Sequence, residues 1–151
     1  MPTTEKMNES ATTKKASMRK EISYNRAVII LVIGDILCFL IFAALGRNTH
    51  GEASGFAAIP QIILTALPFA AGWFLVSPFV GAFRREIVAQ PRAMAIRTSL
   101  AWLLSWPMAM LLRGIFVDHG VPPLTFALIV LLFNMALLVV WRSLYALYNC
   151  I

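Results

Sequence analysis

Charge is scarce in this chain, and acid is scarcer still. Only 13% of its 151 residues are charged, with seven acids against thirteen Lys and Arg. Two cysteines, Cys38 and Cys150, fall at different depths of the expected structure, which excludes a disulfide framework. The two histidines, His50 and His119, stand in no recognised metal-ligand spacing. GxSxG, HExxH, the Walker lysine loop and the Rossmann glycines are all missing. The expectations are therefore no enzyme, no metal and no cofactor.

What is present is apolar length. With 60% hydrophobic residues and a mean hydropathy of +0.77, the chain is too apolar for a soluble domain. A membrane crossing takes about 20 apolar residues, and four such runs follow one another: 27–46, 59–83, 95–112 and 124–141. The expected fold is all-α, an integral membrane bundle of four transmembrane helices over residues 27–151.

Residues 1–26 are different in kind. Lys6, Lys14, Lys15, Arg19, Lys20 and Arg26 sit among Ser, Thr, Asn and Glu without apolar periodicity, so this tail is expected to be disordered. Its charge suits the anionic lipids of a cytoplasmic leaflet, at roughly 1 kcal/mol per residue near the surface. It reads as a topology determinant and not as a nucleic-acid arm.

The distribution of Lys and Arg sets orientation. Eleven of the thirteen lie in the tail, in Arg84 to Arg97 or at Arg142; only Arg47 and Arg113 fall on the other side. Both termini are thus expected in the cytoplasm and the protein in the inner or plasma membrane. Arg97 and Arg142, each at a cytoplasmic helix end, read as snorkelling anchors.

Within the spans one residue stands out. Asp35 is the only acid between Glu21 and Glu52, in the middle of an apolar run. A carboxylate at mid-bilayer depth costs a few kcal/mol, so an acid kept there is a functional-site hypothesis. At about 1.5 Å per residue, Asp35 lies roughly 12 Å from the cytoplasmic boundary, within about one turn of the level of Asn134 and Ser105. These three are expected to form an intramembrane polar layer of interhelical hydrogen bonds. The other expected partner for Asp35 is Arg97, as an ion pair.

Three further features complete the reading. Pro60, Pro68 and Pro78 punctuate the second span, which is expected to bend around Pro68 and Pro78. Trp73, Trp102 and Trp106 lie deep enough to fill the core. On the opposite face Arg47, His50, Arg113, Asp118 and His119 form a polar cluster, whose two arginines suit an anionic substrate or lipid head group.

The stretch Gly34-Asp35 followed by Phe42-Ala43-Ala44-Leu45-Gly46-Arg47-Asn48-Thr49-His50-Gly51 resembles the signature of a family of small four-span membrane proteins, domain of unknown function three-zero-five-four. Pro68 with Gly72-Trp73, and Trp141-Arg142, also resemble it, so the likeness covers Ala27 to Arg142. It implies a four-helix membrane fold and points to Asp35, Arg47 and His50, with no chemistry attached. The expected function is transport-related or permease-like, built on the mid-membrane carboxylate. A homo-oligomer is expected with it, because four short helices enclose little room. The alternative is a non-catalytic scaffold or assembly factor in which the carboxylate stabilises helix packing.

Overall fold

The computed structural model describes residues 4–49 and 55–151. Four helices carry the fold: α1 (Thr4–Thr49), α2 (Ile59–Val76), α3 (Pro91–Phe116) and α4 (Leu124–Cys150). Each is long and apolar enough to cross a membrane. α1 packs on α2 and α4, and α3 packs on the same two, so consecutive helices are neighbours around the bundle. Proline places two of the starts, with Pro60 and Pro91 in the first turns of α2 and α3, where the missing N–H has no helical partner to lose. Pro123 directly precedes α4.

Every helix buries a stripe that repeats about every four residues. In α1 it is Leu31, Asp35, Phe39 and Ala43; in α4 it is Val130, Asn134, Leu138, Arg142 and Ala146. In α3 it is Met94, Thr98, Trp102, Ser105 and Ala109. That step keeps one face inward on a helix of 3.6 residues per turn. The outward positions, among them Ile33, Leu37, Leu67, Leu104 and Leu132, are large, apolar and exposed. A bilayer supplies the surroundings such a surface needs.

Aromatic rings occupy the centre, as expected of Trp73 and Trp102, which are fully buried with ring centroids 6.3 Å apart. Phe39 lies 5.5 Å from Trp102, and Phe42 meets Phe69 edge-on at 5.6 Å. The indole N–H groups of Trp102 and Trp106 donate to the Leu131 and Ala127 carbonyls of α4, both at 2.9 Å. α1 and α4 run antiparallel: Gly34 faces Trp141, the Cys38 thiol points to the Leu137 carbonyl, and the Phe42 and Phe133 rings meet, four residues per step along each helix. Gly72 lets α2 approach α3, since a Cβ there would come within 2.8 Å of the Ala109 backbone nitrogen.

Two expectations of local structure are corrected. Residues 4–26, expected to be disordered, form the first half of α1. They hold no Gly or Pro and many strong helix formers, and extending a helix nucleated by the apolar run costs far less than starting one. The second span was expected to run helical to Phe83; α2 stops at Val76 instead. Pro78 has no N–H and crowds the preceding turn, and Gly81 turns the chain at a φ of 78°. Residues 77–83 are therefore a series of turns, held by Ser77 N–H to Trp73 O at 2.8 Å and Ala82 N–H to Ser77 O at 3.0 Å.

Candidate functional site

Unwinding α2 leaves backbone carbonyls without helical donors, and side chains from the other three helices take them. The Tyr24 hydroxyl of α1 donates to Phe83 O at 2.6 Å, and Arg97 Nη1 of α3 to Val80 O at 3.0 Å. Arg142 Nη1 of α4 donates to Ala82 O at 2.7 Å. The last of these carries the site.

Arg142 is fully buried, and so is Asp35. Their charged groups meet in a two-point clamp: Nε donates to Oδ1 at 2.9 Å and Nη2 to Oδ2 at 2.5 Å. Trp73 Nε1 donates to the same Oδ2 at 2.9 Å. The guanidinium also points Nη1 at the Met94 sulfur, 3.9 Å away, and lies 4.5 Å from the Phe83 ring and 5.0 Å from that of Trp73. All four helices and the turn after α2 thus contribute to one cluster. Planar, bidentate and stacked, it uses the properties in which arginine differs from lysine.

The sequence reading of Arg142 is corrected here: it is an internal ion-pair partner and not a snorkelling anchor. α4 continues past it to Cys150, so Arg142 is not at a helix end. Arg97, the expected partner of Asp35, caps Val80 instead. The expected polar layer is also divided. Asn134 Nδ2 donates to Val130 O at 3.1 Å and Ser105 Oγ to Ala101 O at 2.6 Å, each four residues back on its own helix. Both are buried, as Asp35 is, yet the donors to Asp35 are Arg142 and Trp73. Asn134 Oδ1 has no hydrogen-bond partner among the described residues.

At the other end of the bundle the expected cluster is partly assembled. Arg47 and Arg113 line one cavity of about 290 Å³ with Phe42, Thr65 and Phe126. Arg113 is clamped by Asp118, Nε to Oδ2 at 2.9 Å and Nη2 to Oδ1 at 3.1 Å, and lies 4.5 Å over the Phe126 ring. His119 is exposed at a φ of 49° and does not line this cavity. His50 lies outside the described residues, among which no cluster of three metal-ligating side chains occurs.

Trp73 and Arg142 were not singled out as site residues by sequence reasoning, although a signal for Arg142 existed. Asn134 was placed in the inward layer, and Arg142 lies eight residues on, at two repeats of the same stripe. Both pairs of neighbours quoted for the family likeness, Gly34-Asp35 and Trp141-Arg142, also meet in space, glycine against tryptophan and acid against arginine.

A family model described as "Protein of unknown function (DUF3054)" matches residues 32–145. That extent replaces the one drawn from the resemblance, beginning and ending a few residues later. No curated protein and no solved structure matches the chain.

Proposed function

From the premise that the chain belongs to the family of proteins of unknown function DUF3054, whose description names no reaction, we propose a non-catalytic membrane scaffold locked by the Asp35–Arg142 pair. One observation carries this reading. The carboxylate accepts three hydrogen bonds, all from fully buried side chains of α2 and α4. A carrier's carboxylate has to exchange its partners as cargo comes and goes; this one is occupied by groups that cannot leave without opening the bundle.

In this reading both termini and the segment 84–97, which includes the start of α3, face the cytoplasm, by the bias in Lys and Arg, and the membrane is the inner or plasma membrane. The basic first half of α1 lies against anionic lipids, and a homo-oligomer is the expected assembly.

One observation favours the permease-like reading: α2 breaks beside the ion pair, and broken helices line ion and substrate paths in transporters. Proteoliposomes distinguish the two. The scaffold reading expects no pH-driven proton or cation flux above empty vesicles. A flux abolished by Asp35→Leu with Arg142→Met, at unchanged thermal stability, would establish the carrier instead.

A further inference from the structure

A cavity of about 770 Å³ lies where the basic half of α1 meets the connection after α2 and the end of α4. Arg19, Lys20, Arg26 and Arg85 line it, with Tyr145 and Tyr148 opposite and no carboxylate in the wall. Among the described residues the ion pairs are Asp35–Arg142 and Arg113–Asp118, so none of these four cations is paired with a carboxylate there. Arg85 is held in place, its guanidinium 4.4 Å over the Tyr24 ring, whose hydroxyl is anchored on Phe83 O.

The floor of this cavity is apolar. Ile30 belongs to it and also to a second cavity of about 410 Å³ along the outer seam of α1 and α4, lined by Ile33, Leu37, Ile41, Leu137 and Val140. From Ile30 to Ile41 that seam extends about 16 Å at the helical rise. A cationic chamber therefore adjoins an apolar groove at Ile30, near the start of the apolar run, with two tyrosines at the level where interfacial aromatics gather.

We propose that this composite cavity binds one anionic phospholipid, its phosphate among Arg19, Lys20, Arg26 and Arg85 and an acyl chain along the α1–α4 seam. A free phosphate satisfies the chamber and leaves the groove unexplained; a lipid accounts for both. The proposal rests on the reading of the basic end of α1 as lipid-facing, and it replaces a diffuse attraction with a single site.

Native mass spectrometry of the full-length protein in detergent, with phosphatidylglycerol or phosphatidylcholine added, tests it. The expected result is one retained phosphatidylglycerol, bound at least about tenfold more tightly than phosphatidylcholine. Lys20→Gln with Arg85→Gln should remove that preference. Val140→Trp, which fills the groove from its exposed rim, should weaken both lipids and leave binding of glycerol phosphate unchanged. Equal retention of the two lipids, a preference that survives the double charge substitution, or a site blocked as well by glycerol phosphate as by Val140→Trp overturns the proposal. The orientation is tested separately, by whether a membrane-impermeant thiol reagent reaches the exposed Cys150 in intact cells or only in inverted vesicles. Failure there leaves the detergent result standing.

Discussion

Two arginine–carboxylate clamps hold this bundle, one inside it and one in the turn after α3, and they are chemically the same contact. Arg142 and Asp35 are 107 residues apart in sequence and have no exposed side-chain surface; Arg113 and Asp118 are five apart, with 14% and 29% of their side-chain surface exposed. The outer pair closes the turn after α3 and can exchange either partner for water. Such pairs contribute about 0–1 kcal/mol. The inner pair joins α1 to α4 and cannot. Removing one partner leaves a buried charge uncompensated, whereas removing both often costs nothing. Geometry alone does not tell the two apart; burial and sequence separation do.

The comparison is broken most severely at Asp35. Asp35→Asn leaves a guanidinium that cannot shed its charge, and the bundle should lose about 3–5 kcal/mol, read by thermal or denaturant unfolding in detergent. Asp35→Leu with Arg142→Met should recover most of that loss. A double variant no more stable than Asp35→Asn would mean that the pair does more than fix packing.

Trp73→Phe keeps an aromatic ring, though a smaller one, and removes one donor to a charged acceptor, so at least about 1.5–3 kcal/mol should be lost. If the same substitution made in the Asp35→Leu/Arg142→Met background costs as much, the indole acts through packing and not through the carboxylate.

Gly34→Ala sharpens the inner side, because its Cβ would overlap the Trp141 ring. Overpacking of this kind costs about 1–3 kcal/mol, and the α1–α4 seam should loosen, seen as faster labelling of the buried Cys38. The smallest effect belongs to the outer clamp. Asp118→Ala should change stability by about 1 kcal/mol or less, and less still in high salt.

Much of the fold was legible because transmembrane helices are written locally. A run of about 20 apolar residues is enough to place one, although Pro91, which starts α3, was not used and the third span was set to begin at residue 95. The break after Val76 was only half visible: Pro78 was noted, but whether proline bends a helix or ends it depends on what takes the freed carbonyls. Here Tyr24, Arg97 and Arg142 take them, from three other helices.

Hydropathy and charge by themselves determined four apolar helices, the isolation of Asp35 and the basic character of the first half of α1, because each depends only on nearby residues. Which arginine neutralises Asp35 was decided by tertiary structure. Arg97 and Arg142 were both read as lying at cytoplasmic helix ends, and the choice rested on how far α4 continues, which face it turns inward and where α2 unwinds. Those are properties of helices packed together, and a buried charge accepts only the partner that this packing brings to 2.9 Å.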